Sequence, residues 1–147
     1  MKTIFLAGIA LTVSLLCACK KQVQPTTYQI GQEAFGGIVV KTDATKEHGL
    51  VVAKENQVAY GSGNIYSESV TIVENYAAGG TGWRLPTKDE LLALYSMKSS
   101  IGGFTAVRYW SSTPGGVGRY TVHFGSGVCE GLCMFNSSFC SRAVKDF

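Results

Sequence analysis

Carboxylates almost vanish from the second half of this chain: after Glu90 only Glu130 and Asp146 remain. Calcium needs six or more oxygens, several of them charged, so that half offers no calcium site. Histidine is equally scarce. His48 and His123 have no evident carboxylate partner, and there is no Gly-x-Ser-x-Gly elbow, which argues against serine hydrolysis. The chain has no internal repeat, and its glycine-rich loops sit only between elements. A formal net charge of +3, reduced to +2 once Lys2 is removed, does not suggest a nucleic-acid partner.

The N-terminus, MKTIFLAGIALTVSLLCACKK, is a targeting segment. Lys2 is a positive n-region, and Ile4 to Leu16 has the length of a signal-peptide core, too short to span a bilayer comfortably. Leu16-Cys17-Ala18-Cys19 then resembles the bacterial lipobox, with the small residue Ala18 ahead of Cys19. Residues 1–18 are therefore expected to be a lipoprotein signal peptide, with Cys19 the lipidated residue. Acyl chains hold a protein on a membrane because each buried methylene contributes about 0.8 kcal/mol. Removing 18 residues from 147 leaves 129, enough for one domain with a real core. Residues 19–27, polar and carrying Pro25, read as a lipidated tether; residues 28–147 are the domain. Lys20 and Lys21 stand where a surface-export signal would carry acidic residues, so a periplasmic or outward orientation stays open.

Within the domain, Gly37 to Lys41 and Leu50 to Ala53 read as strands of a hairpin around the polar Thr42 to Gly49. Ser67 to Ala78 carries Val70, Val73 and Ala77 at helical spacing, with Ser67 a candidate N-cap and Gly79-Gly80 a stop. A second helix opens on a capping box, Thr87 to Glu90, and presents Leu91, Leu94 and Tyr95. Arg108 to Ser111, Arg119 to Phe124 and Phe139 to Asp146 follow as short strands, with Gly125-Ser126-Gly127 a turn. The expected class is α+β: two helices with small antiparallel sheets.

The string Gly82-Trp83-Arg84-Leu85-Pro86-Thr87-Lys88-Asp89-Glu90-Leu91, then Ile101-Gly102-Gly103-Phe104, Tyr109-Trp110-Ser111-Ser112-Thr113 and Arg142-Ala143-Val144-Lys145-Asp146-Phe147, resembles a family of bacterial surface domains similar to the C-terminal domain of collagen-like adhesins. Gly36 to Val39 and His48 to Leu50 fit the same pattern. The resemblance implies a C-type-lectin-like fold whose terminal strands lie side by side. Calcium lectins of this fold use Glu-Pro-Asn-like or Trp-Asn-Asp-like ligands, and the formylglycine-generating oxidases use an arginine-rich Arg-Gly-Gly-Ser-Trp-like signature; this chain has none of these. Trp83, Leu85 and Trp110 are expected in the core, and Asp89 and Glu90 at a helix start rather than as a catalytic pair.

Between the last two motifs lies GGVGRYTVHFGSGVCEGLCMFNSSFCS, Gly115 to Ser141, which looks shuffled. Its position resembles the variable proteins of diversity-generating retroelements, in which adenines of a template are scrambled between a motif like YWSST and a tail like RAVRDF. The genetic code offers a separate check. Scrambling both adenines of an asparagine codon cannot yield Lys, Gln, Glu, Met or Trp, and only Glu130 and Met134 fall outside the allowed set. Each is reachable from a lysine codon. The odd set Cys129, Cys133 and Cys140 leaves at least one thiol unpaired in an oxidising compartment, which random acquisition explains better than a selected framework. Zinc ligation by these with His123 matches no usual finger spacing.

Val122, Phe124 and Gly127 are expected as scaffold, with Thr121, His123, Gly125 and Ser126 facing outward. The expected contact surface is Gly115, Val117, Arg119, Tyr120, His123, Ser126, Val128, Leu132, Phe135, Asn136, Ser137 and Phe139. Exposed Tyr, Phe and Arg among small residues has the composition of an antibody-like paratope. The expectation is an outer-membrane lipoprotein, not an enzyme and without metal or cofactor. It would bind an unknown protein or glycan on another cell, phage or host surface. The rivals are a fixed-specificity adhesin and a pilus-tip or envelope structural protein. Cys19→Ser is expected to abolish fatty-acid labelling and release the chain from the membrane fraction; persistent labelling would place the anchor elsewhere.

Overall fold

Both early strands are near-continuous apolar runs because both faces of their sheet are covered. The computed structural model describes residues 26–62 and 64–147, and the side chain of Leu132 is outside that description. The expected signal peptide, the expected lipidation site Cys19 and most of the expected tether therefore lie outside the described residues. The chain runs β1 (Glu33–Ala34), β2 (Gly37–Thr42), β3 (Gly49–Ala53), α1 (Tyr66–Glu74), α2 (Lys88–Ser96), α3 (Lys98–Ile101), β4 (Arg108–Gly115), β5 (Gly118–His123), β6 (Cys129–Cys133) and β7 (Val144–Asp146). One antiparallel sheet has the order β1-β2-β3-β7 and a second β4-β5-β6, so the described chain is α+β. No helix among the described residues is long and apolar enough to cross a membrane.

Two clusters form the core, one on each side of the strands. Val39 and Val51 pack with Val73 of α1, Trp83, Leu85, Trp110 and Ala143. Val40, Leu50 and Val52 pack with Leu91 and Leu94 of α2, Tyr109, Val122, Phe124 and Val144. A register shift between Val39 and Lys41 sits at Val40 in the β2–β3 pairing. The expected core residues Trp83, Leu85 and Trp110 are each no more than 4% exposed.

Local chemistry accounts for α2. Thr87 Oγ1 accepts from Glu90 N–H at 3.2 Å, and Glu90 Oε2 accepts from Thr87 N–H at 2.7 Å. The same Glu90 carboxylate takes a forked pair from Arg84, both contacts 2.8 Å, while Arg84 Nη2 also reaches Asp146 at 2.9 Å. Burial raises the Glu90 pKa, but the Arg84 hydrogen bond and the Thr87 amide outweigh it, so Glu90 is held below the ordinary carboxylate value. The bond to Glu90 likewise holds the Arg84 guanidinium above its usual value.

Several expectations change. α1 begins at Tyr66 behind Ile65 rather than at a Ser67 cap, and the Glu68 carboxylate accepts from Ile65 N–H at 3.0 Å. It stops at Glu74, short of Ala78. The following turn has to bring Gly79 against Gly36, whose Cβ, were there one, would lie 2.6 Å from Gly79 N. A third short helix, α3, was not expected; Gly102 at φ 75° ends it. The first and last strands are not side by side, since β2 and β3 separate them. The two ends meet instead through the rings of Tyr28, Phe35 and Phe147, with Phe35 and Phe147 stacked at 4.7 Å.

The final strand is shorter than expected because the residues before it serve other partners. Cys140 exchanges hydrogen bonds with β4, donating to Arg108 O at 3.0 Å and accepting from Trp110 N–H at 2.9 Å. Ser141 bridges Val58, and Val144 bridges Arg84. Arg142 turns fully inward, 0% exposed, and donates from Nε to Ala53 O, from Nη1 to Gly102 O and from Nη2 to Lys54 O at 2.7–2.8 Å. Its guanidinium lies 4.0 Å from the Phe104 ring centroid. Burial without a contacting carboxylate lowers its pKa. Lys145 is buried too, donating to Gly79 O at 2.8 Å beside the Trp83 ring.

Arg142→Met is expected to lower stability by about 3 kcal/mol, because it strips donors from buried carbonyls. Arg142→Lys should recover only part of that, since one ammonium cannot serve three divergent acceptors. Urea unfolding of the three proteins checks this; a Met variant within 0.5 kcal/mol or so of the parent would contradict it.

Candidate functional site

The stretch from Gly115 to Ser141 supplies the end of β4, all of β5 and β6, and the loops joining them to the tail. Gly115 pairs with Gly118, leaving Gly116 and Val117 as a two-residue hairpin tip. Gly116 takes φ 58°, the left-handed backbone such tips require, and Val117 projects with 70% of its surface exposed. At the same end of the sheet, Gly118 lies against the backbone of Cys133 and Met134. Val117, Arg119, Met134 and Phe135 therefore share one end of the domain.

Arg119 lies over the rings of Tyr66 and Phe135, 5.1 and 5.8 Å from their centroids. Its Nη1 donates to Ser112 O at 3.0 Å. Tyr66 N–H donates to Phe135 O at 3.1 Å, tying the start of α1 to the loop after β6. Burial pushes the Tyr66 phenol above its ordinary value, and the nearby Arg119 charge partly offsets that rise.

Tyr120 lies elsewhere, in a slot that only glycine permits. A Cβ at Gly131 would fall 2.7 Å from the Tyr120 ring and one at Gly115 would fall 2.9 Å from it. Lys88 Nζ stands 5.2 Å from the centroid of that ring. Gly115 is buried, so its part is to make room for Tyr120 rather than to offer a contact surface.

At the far end of β5, His123 closes the next turn. Its Nδ1 accepts from Gly125 N–H and Ser126 N–H, both at 3.2 Å, which places the ring proton on Nε2. Ser126 and Val128 are exposed on this turn. His123 and Phe139 line a depression of about 180 Å³ together with Tyr60, Val107 and Arg108. Phe139 also packs edge-on against Trp110 at 4.8 Å. Asn136 is exposed and Ser137 half-buried in the turn after β6, where Ser137 N–H donates to Met134 O at 3.0 Å. Leu132 lies in β6, but its side chain is outside the described residues.

The expected surface is thus divided. Val117, Arg119 and Phe135 cluster at one end, His123, Ser126 and Val128 at the other, and Tyr120 in its glycine slot. Thr121 was expected to face outward and is instead 0% exposed, with Oγ1 3.3 Å from Arg108 Nη1 and 3.1 Å from Cys133 Sγ. Alternation along β5 separates two buried faces here, not inside from outside. Sequence reasoning also missed Tyr66, far away in the chain, and Met134, 60% exposed between Cys133 and Phe135. A cleft of similar size, about 180 Å³, lies between α2 and the β2–β3 hairpin, and no residue of the expected surface lines it.

Arg108 pairs with Glu130 at 2.7 Å, a half-exposed bridge of small energetic weight. No three of His, Cys, Asp and Glu cluster in metal-ligand fashion among the described residues, so His123 and the three cysteines are not gathered into one site. Cys129, Cys133 and Cys140 are free thiols, and burial raises the pKa of Cys129 and of Cys140. A scan against protein-family models finds no match for this chain, and a search of curated proteins finds none either.

Cys140 is 1% exposed, whereas Cys129 and Cys133 are only partly buried. With a thiol reagent such as DTNB on the folded protein at mild alkaline pH, Cys129 and Cys133 should react first. Cys140 should lag by roughly tenfold or more until the protein is unfolded. Equal rates for all three would contradict the packing described.

Proposed function

We propose that this chain is an outer-membrane lipoprotein whose C-type-lectin-like domain binds a ligand through a hypervariable C-terminal surface, as a variable protein of a diversity-generating retroelement. The ligand is a protein or glycan on another cell, phage or host surface. The chain works by binding, without catalysis or cofactor.

The observation that carries this reading is the contrast between the buried flanking motifs and four large side chains exposed within the stretch. Other members of the stretch, Thr121, Val122, Phe124, Cys140 and Ser141 among them, are buried scaffold. Tyr109, Trp110 and Ser111 before the stretch, and Arg142, Ala143 and Val144 after it, are all 0% exposed. Between them Val117, Val128, Met134 and Phe135 are 46–70% exposed. Substitution at the flanking positions would break the core, whereas at these four it changes mainly what the protein presents to solvent.

A second reading, a fixed-specificity adhesin, is favoured by the Arg108–Glu130 pair. A carboxylate matched to an arginine outside the shuffled stretch looks selected rather than scrambled. The two readings diverge in natural populations. Deep sequencing of the 3′ end of the gene is expected to find substitutions confined to codons between Thr113 and Arg142 and clustered at adenines. Val122 and Phe124 should stay constant. A uniform stretch would reject the diversified receptor and leave the adhesin or an envelope structural protein.

A further inference from the structure

The chain has four arginines, and three of them pair with carboxylates or are enclosed by backbone carbonyls. Arg84 holds Glu90 and Asp146, Arg108 holds Glu130, and Arg142 is enclosed by three backbone carbonyls. Arg119 is the exception. A guanidinium carries five N–H donors, yet Arg119 makes one hydrogen bond among the described residues, to Ser112 O. Its Nε is buried and has no hydrogen-bond partner there. Nη2 also has no partner among the described residues and is not among the buried atoms, so it is the donor a ligand can reach.

The position is also pre-organised. Two aromatic rings support the guanidinium, so its planar fork is held rather than free to swing. Phe135 beneath it is half-exposed, and Val117 and Met134 are exposed apolar residues at the same end of the sheet. No carboxylate contacts Arg119 among the described residues, and exposed aliphatic and aromatic side chains suit a protein better than a sugar.

We infer that Arg119 anchors an acidic side chain of a protein partner through Nη2, with apolar residues beside that side chain covering Phe135, Met134 and Val117. The inference rests on the reading of this face as the binding surface and adds the chemical class of its ligand. The carboxylate approaches Nη2, since Nη1 already points to Ser112 O and the buried Nε is out of a ligand's reach. The bond made there is charge-assisted, stronger and more directional than a neutral one.

The test uses the full chain, labelled with nitrogen-15, in detergent micelles, and follows the Arg119 Nε–Hε resonance with those of Met134 and Phe135. Three probes are titrated: the blocked peptides acetyl-Phe-Glu-Leu-amide and acetyl-Phe-Gln-Leu-amide, and N-acetylneuraminic acid. The Glu peptide is expected to shift Arg119 Nε–Hε saturably and bind about tenfold more tightly than the Gln peptide. Arg119→Gln should remove that preference, and Arg119→Lys should restore only part of it. Equal binding of the two peptides, with shifts at Phe135 and Met134 but none at Arg119, overturns the carboxylate anchor and leaves the face as a binding surface. Binding of the acidic sugar alone overturns the choice of a protein partner. No shift with any probe overturns the anchor and counts against the face itself. The wild-type Nε–Hε signal decides these outcomes even if a variant fails to fold.

Discussion

A cation buried without a contacting carboxylate organises this domain. Arg142 must find acceptors for its donors once it leaves water, and it finds them in the carbonyls of Ala53, Lys54 and Gly102. Those groups belong to the end of β3 and to the end of α3, so one side chain fixes how the tail, the first sheet and the short helix meet. The Phe104 ring covers the guanidinium and closes the remaining side. Lys145 repeats the same logic nearby, while the exposed Asp146 ties the tail to Arg84. Asp146 shares Arg84 with Glu90 of α2, and Lys145 caps Gly79 against Trp83. Charges that look like surface residues in the sequence are thus the fasteners of the core.

From that arrangement follows a separation of duties. The tail pairs with β3, bridges Arg84 and Val58 and touches β4 through Cys140, so it joins the two sheets. The second sheet then packs one face on the cluster with α2 and the other on the cluster with α1, leaving mainly its tips and following loop to solvent. Val117 and Phe135 are free to face outward because the residues on either side of their stretch carry the packing. A surface built this way tolerates change: exposed positions away from caps, cavities and buried polar groups shift stability by only about 0.5 kcal/mol either way.

How much of this was legible varies with the range of the interactions. Thr87 and Glu90 were readable as a capping box because both partners lie within one turn. The hairpin around Thr42 to Gly49 was readable from two short apolar runs and a polar gap. α1 was capped two residues late and ended too late, since its C-terminal limit depends on Gly79 meeting Gly36 across the fold. Thr121 was misread because alternation along a strand distinguishes two faces without saying what covers each. In the candidate surface, the exposure of Val117 and Phe135 fitted a reading of small residues interspersed with aromatics. The burial of Gly115, the slot for Tyr120 and the Tyr66 ring under Arg119 had no local signature.

The sequence by itself determined the elements whose causes are local: the α2 capping box, strand runs and turn glycines, each set by residues a few positions apart. Only the tertiary structure decided which charges are buried, which face of each strand is covered and which exposed side chains adjoin. Those outcomes depend on groups distant in sequence being brought within hydrogen-bond or packing distance. A side chain's burial is a property of its neighbours, and for Arg142, Arg119 and Tyr120 the decisive neighbours lie on other elements.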